Sequence, residues 1–311
     1  MSIRSLFGAA FLAATFSARA FAGSDKDVVS SENLPVTPAP FRFSGEFVIE
    51  QSYVGDSDVA RGARDVNGFD ELYTNLKFVY TPRVKYGIIR AGAQLERYSL
   101  GYGNGGGQQL PNTLQALNAI VGFDTRLGDS ILVRLEAQPG IYGTTFDQLS
   151  GDQFNVPFLL GGTYIYSPEL QFVFGVGVNL QQKYPILPGG GIRWKFAPKW
   201  VLNAVLPTPQ LQYEVSQSVT AFAGADIKAN TFRVDDRFGT RNGDTSLNNA
   251  WLSYEEIRAG AGIDLKRNSN LTVRFEGGYA AYHNFDCHRT QVHYHNESGA
   301  PYASLMLQGN F

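Results

Sequence analysis

From Phe41 onward the chain alternates between greasy and polar positions. Between Phe41 and Tyr53 the odd positions carry Phe41, Phe43, Phe47, Ile49 and Tyr53, and the even ones Arg42, Ser44, Glu46, Glu50 and Ser52. A period of two places these sets on opposite faces of a β-strand. The pattern returns at Leu72, Leu76, Phe78 and Tyr80 against Glu71, Asn75 and Lys77, and at Leu117, Val121, Phe123 and Leu127 against Asn118, Asp124 and Arg126. Ile131, Val133 and Leu135 oppose Arg134, Glu136 and Gln138; Phe172, Phe174 and Val176 follow on one face, with Gln171 and Asn179 opposite. Late copies set Ile257, Ala259 and Ile263 against Arg258 and Asp264, then Val273, Phe275 and Tyr279 against Arg274 and Glu276.

Alternation alone also suits a soluble sandwich, so the connections have to discriminate. Short turns at Thr81-Pro82-Arg83, Gly128-Asp129, Ser167-Pro168-Glu169, Ala197-Pro198-Lys199 and Arg267 to Asn270 alternate with long polar stretches. Those stretches run from Gly55 to Gly68, Ser99 to Thr113, Gly143 to Asn155, Asn230 to Asn249 and His283 to Ala300. Short turns on one side and long loops on the other are the pattern of an outer-membrane barrel.

The spacing predicts spanning strands near 41–53, 70–80, 84–97, 114–127, 130–142, 156–166, 169–181, 187–197, 218–229, 251–266, 271–282 and 301–311. An even strand number requires Trp200 to Ser216 to supply two strands or none, and its Pro207-Thr208-Pro209 can turn a hairpin. The expected fold is therefore all-β, an antiparallel up-and-down transmembrane barrel of 14 strands, with 12 as the alternative. The last strand, Tyr302 to Phe311, places Ala303, Leu305, Leu307 and Phe311 on one face. The terminal aromatic Phe311 resembles the signal by which barrel-assembly machinery recognises outer-membrane proteins.

Composition supports this reading. The 34 Gly, 16 Tyr and 22 Phe, with 17% charged residues, favour strands and turns over helices. No window after the first segment holds the 18 or so consecutive apolar residues that a membrane helix needs. A formal net charge of −2 gives no basic footprint for nucleic acid. At the start, Arg4, an apolar run from Leu6 to Phe16 and the small-residue site Ala20-Phe21-Ala22 read as a signal peptide over residues 1–22. Residues 23–40, with Pro35, Pro38 and Pro40, read as a flexible periplasmic leader before a barrel at 41–311. The expected location is the bacterial outer membrane after signal-peptide cleavage. The expected partners are its lipids and lipopolysaccharide, the barrel-assembly machinery and small solutes.

The inward charges are the first candidate site. Arg42, Glu46, Glu50, Arg90, Glu96, Arg134, Glu136, Arg258, Asp264, Arg274 and Glu276 fall on predicted lumen faces. Such side chains set the field of a channel or pair with one another to satisfy buried charge. Fourteen strands make a cylinder roughly 28 Å across, too wide for opposing side chains to fill, so water or an infolded loop must occupy the centre.

The second candidate is the group His283, His288, His293 and His295 with Cys287, beside Asp286 and Glu297. Imidazole, thiolate and carboxylate are zinc ligands, yet the spacing matches no established zinc pattern, and a solvated loop is the competing reading. The G-x-G-x-x-G run at 101–106 lacks the strand-to-helix setting of a nucleotide site and reads as a loop. No Ser-His or Asp-His pairing follows from spacing, so no catalytic residue and no cofactor is assigned.

Three pieces carry a resemblance: Leu206-Pro207-Thr208-Pro209-Gln210-Leu211-Gln212-Tyr213-Glu214; Ala221-Phe222-Ala223-Gly224-Ala225 with Thr231-Phe232-Arg233-Val234; and Tyr254-Glu255-Glu256-Ile257-Arg258-Ala259-Gly260. They resemble an uncharacterised family of bacterial outer-membrane barrels, the domain of unknown function DUF6268. The resemblance implies a barrel and a location, and carries over no activity. The functional expectation is a passive pore or binding barrel for small solutes. Its rival is a closed structural or surface-interaction barrel acting through outside loops, and the third reading is a loop metal-binding protein or rim enzyme.

Overall fold

The structure, a computed structural model, describes residues 44–61, 64–103, 110–146, 151–267, 270–287, 289–290, 292–296 and 298–311. The expected signal peptide and leader, together with Arg42 and His288, lie outside the described residues.

Fourteen antiparallel spanning strands close on themselves. They are β1 (Gly45–Arg61), β2 (Arg64–Tyr80), β3 (Gly87–Gly101), β4 (Thr113–Leu127), β5 (Ile131–Ala137 and Gly140–Gly143) and β6 (Phe154–Asn155 and Phe158–Ile165). There follow β7 (Leu170–Val178), β8 (Ile186–Ala197), β9 (Trp200–Val205), β10 (Gln210–Glu214), β11 (Val219–Arg233), β12 (Trp251–Lys266), β13 (Leu271–Cys287) and β14 (Val292–Asn296 and Ala300–Asn310). Each strand pairs with the next, and β14 returns to β1 in a register from Glu46↔Asn310 to Val54↔Tyr302. The Phe311 amide donates to the Gly45 carbonyl at 2.8 Å, and its ring stacks on Phe47 at 5.7 Å between centroids. The segment around Pro207 does supply two short strands, β9 and β10.

The tight turns fall where expected. Gly128, between β4 and β5, has φ +66°, a left-handed conformation that glycine adopts without steric cost. Around the lower half, outward positions form an apolar belt that includes Ile49, Leu76, Phe78, Val121, Phe174, Trp194, Ile263, Phe275 and Leu305, each more than a third exposed. A closed backbone ring inside such a belt is the architecture of a transmembrane β-barrel, because lipid offers nothing to satisfy an unpaired strand edge.

The stretch from Gly55 to Gly68, expected as a loop, is strand instead: β1 and β2 continue to Arg61 and Arg64. Likewise β13 runs to Cys287 and β14 begins at Val292, so much of the expected loop from His283 to Ala300 is ladder. In these upper segments the polarity is reversed. Val54, Val59, Val66 and Phe69 are fully buried, while Asp56 and Asn67 are exposed. Buried side chains from β1–β5 and β11–β14, among them Phe69, Tyr98, Leu114, Tyr142, Phe232, Trp251, Phe285 and Tyr294, form one apolar core inside this crown. The connection 234–250 folds over it, carrying a helical turn α1 (Phe238–Arg241) whose Phe238 joins Leu247 in the core.

The crown is narrower than the belt. Gly143 at the top of β5 bridges Arg233 at the top of β11, and the Thr144 amide donates to the Arg233 carbonyl at 3.2 Å. This joins β11–β14 and β1–β5 into a nine-strand upper ring, leaving β6–β10 as a shorter side wall. One-residue irregularities mark the transition. On β1 the register shifts between Val54 and Ser57, and β13 holds one extra residue, Ala281, between the pairs Arg258↔Ala280 and Ile257↔Tyr282. A bulge of this kind exchanges inward and outward parity beyond it.

Candidate functional site: a charged chamber below a polar septum

Within the belt the interior holds a chamber of about 240 Å³, with a lining that reaches Lys266, Asn270 and Asn310 at the short-turn end. Six carboxylates line it: Glu46, Glu50, Glu96, Asp226, Asp264 and Glu276. Six cations match them: Lys77, Arg90, Arg134, Lys228, Lys266 and Arg274. The chamber is therefore formally neutral, and amides such as Gln94, Asn203, Gln212 and Gln308 fill the spaces between charges.

Alternation on β1–β5 aims one charge cluster at this space. Arg90 donates to both carboxylate oxygens of Glu46, at 2.8 and 3.0 Å, and through Nε to Glu136 at 3.2 Å. Arg134 makes a two-pronged pair with Asp124 at 2.8 and 2.7 Å. On the far wall Arg274 does the same with Asp264 at 2.7 and 2.8 Å, its guanidinium 4.3 Å from the Phe222 ring centre. Paired guanidinium and carboxylate groups of this geometry hold each other's orientation, so the walls are charged but fixed.

The top of the chamber is a septum of bonds that cross the lumen. Asn230 on β11 donates to Glu96 on β3 at 3.0 Å, and the Tyr73 hydroxyl donates to the other Glu96 oxygen at 3.0 Å. Lys228 lies 3.6 Å from Glu50 and 3.8 Å above the Tyr73 ring. One layer higher, Arg258 donates to Glu256 at 2.5 Å, to Glu71 at 2.9 Å and to Ser52 at 2.7 Å, and the Tyr254 hydroxyl donates to Glu71. His283 Nε2 stands 3.2 Å from Glu256. Gly260 makes room beneath this layer, since a Cβ there would sit 2.3 Å from the Tyr302 hydroxyl, which donates to Glu276 at 2.5 Å.

Of the lumen candidates, Glu46, Glu50, Arg90, Glu96, Arg134, Asp264, Arg274 and Glu276 line the chamber, while Glu136 and Arg258 are buried beside and above it. Glu71, Tyr254, Glu256, Lys228 and Asn230 complete the septum without having been singled out from sequence. A usable signal existed: Glu256 shares a strand face with Arg258, and Glu71 lies on the polar face opposite Leu72.

Among the described residues the histidine group does not converge. His283 is fully buried in the septum, whereas His293 and His295 are exposed on β14, with His293 Nδ1 2.7 Å from Asp286. Cys287 is buried in the crown core and is not the exposed thiol that a loop would present. The parity of β13 and β14 sends these side chains to different faces.

A greasy exterior, a charged interior and a closed ring of strands define a transmembrane β-barrel. Within that class, the chain belongs to the family described as a domain of unknown function (DUF6268), whose model matches residues 107–304. No curated protein matches the chain. Among solved structures, an outer membrane channel from Pseudomonas putida F1 is 7% identical, with a TM-score of 0.48, covering 89% of this chain and 100% of that one. The Ralstonia pickettii toluene transporter TbuX is 12% identical with a TM-score of 0.44, covering 87% and 90%. The NanC porin is 9% identical with a TM-score of 0.38, covering 85% and 100%. At these identities and TM-scores the likenesses assign no solute.

Proposed function

We propose that this chain is an outer-membrane barrel that takes small polar solutes into its chamber from the short-turn side, with the septum and crown closing the path toward the long-loop side. The observation that carries the reading is a charge-balanced cavity, open toward the short turns, beneath a lumen filled by an apolar core. Equal numbers of fixed cations and anions favour neither sign of ion. They suit neutral or zwitterionic solutes, which the intervening amides can hydrogen-bond. The outer membrane as the location is supported by the apolar belt and the closed ring, and an export signal over residues 1–22 fits it. Belt contacts with lipid, lipopolysaccharide at the long-loop rim and recognition of the Phe311 strand by assembly machinery belong to the same reading.

Planar-bilayer recording tests it. The intact protein is expected to give sparse current steps with little preference between cations and anions. Glu96→Ala combined with Asn230→Ala cuts a tie across the lumen while leaving the wall ladders intact, and should make the steps frequent. Silence from both proteins, with no swelling of liposomes in small sugars, would refute solute passage and leave the closed, surface-acting barrel as the better account.

A further inference from the structure

The upper layer of the septum holds a second, independent site. Glu71 on β2, Glu256 on β12 and His283 on β13 each present a ligand atom, and the three atoms lie within 4.8 Å of one another. All three side chains are fully buried. Arg258 occupies one oxygen of each carboxylate, and Tyr254 donates to the second oxygen of Glu71. That leaves Glu256 Oε2 and His283 Nδ1 without any hydrogen-bond partner. The neighbours of the imidazole offer little to satisfy it, since Phe69 stands 5.4 Å away and the Tyr254 ring 6.4 Å away between centroids.

Two carboxylates here face one guanidinium, and a free carboxylate oxygen and a free imidazole nitrogen share one dry layer. Buried polar atoms are normally satisfied, and a pair of unsatisfied acceptor atoms beside excess negative charge is what a cation resolves. We propose that Glu71, Glu256 and His283 bind a divalent transition metal of the zinc class. Mixed carboxylate and imidazole ligation suits zinc and its neighbours, whereas calcium and magnesium prefer all-oxygen shells. Such an ion ties β2, β12 and β13 together beside the Ala281 bulge, where the inside of the barrel changes character. The site is separate from solute passage and stands or falls without it.

The test uses the full chain purified in detergent, stripped with a chelator, dialysed, and titrated with zinc chloride, with bound metal measured by elemental analysis. One retained equivalent is expected. Glu256→Gln and His283→Gln should each lose it, and His293→Ala combined with His295→Ala should keep it. Cobalt(II) supplies a check on the unaltered chain should a septum variant fail to fold. Visible bands of four-coordinate cobalt without a sulfur charge-transfer band are expected. No retained zinc, retention unchanged in His283→Gln, loss in the His293/His295 variant, or a sulfur band implicating Cys287 would each overturn the proposal.

Discussion

β1 passes through two environments whose insides and outsides are exchanged. In its lower half Phe47, Ile49 and Tyr53 face outward and Glu46, Glu50 and Ser52 face inward; in its upper half Asp56 faces out while Val54 and Val59 are buried within. The lower region is solvated by lipid outside and by fixed charge inside. The upper region is built like a small soluble protein, with an apolar core and a polar coat. The difference teaches that a strand's polarity reports its surroundings and not its secondary structure. It also locates the septum, since the layer of Ser52, Glu71, Glu256 and Arg258 is where a polar interior must end and an apolar one begin.

Breaking that junction should have the largest effect. Arg258→Met leaves Glu71 and Glu256 buried with one fewer counter-charge, and removing one partner of a buried ion network costs about 3–5 kcal/mol. Urea unfolding in detergent should show the loss; a midpoint unchanged from the parent would mean that the layer is wet. In the crown, Phe285→Ala empties part of the core that Phe69 and Tyr254 share, with a loss of about 3–5 kcal/mol if that core is as dry as its burial indicates.

A smaller effect is expected on the belt. Leu76→Arg places a charge against lipid, for which about 2–4 kcal/mol is expected near the bilayer midplane. Asp56→Arg, on the outward face of the same hairpin's crown portion, should change stability by less than about 0.5 kcal/mol. Comparing their unfolding midpoints in lipid vesicles measures the contrast directly. Equal penalties would place the crown inside the bilayer and erase the distinction.

Much of the lower region was legible in the sequence. Strict alternation fixed which face of β1–β5 and β11–β14 carries Glu46, Arg90, Arg134, Asp264 and Arg274, and the Pro207 turn supplied the two strands that complete fourteen. The crown was not legible, for a physical reason. Its outward residues are polar because they meet water, so Gly55 to Gly68 and His283 to Ala300 have the composition of loops although most of their described backbone is paired. Reading the two interleaved sets separately, with Val54, Val59, Val66 and Phe69 as one series, would have revealed strand. The bulges then hid the histidine positions, because parity carried upward from Arg274 and Glu276 would place His283 outside.

That extra residue on β13 acts as a phase slip. Below it the even-numbered side chains of the strand point inward, and above it the odd-numbered ones do, so one residue is absorbed where the two phases meet. Deleting Ala281 should remove the bulge, so that Tyr282 follows Ala280 in plain alternation and His283, Phe285 and Cys287 keep their inward places. Cys287, buried in the intact chain, should then stay protected from a water-soluble maleimide within the native barrel, whereas rapid labelling would show that the upper strand had slipped by one residue. The boundary between the two regions is thus a place where the strand changes step as well as chemistry.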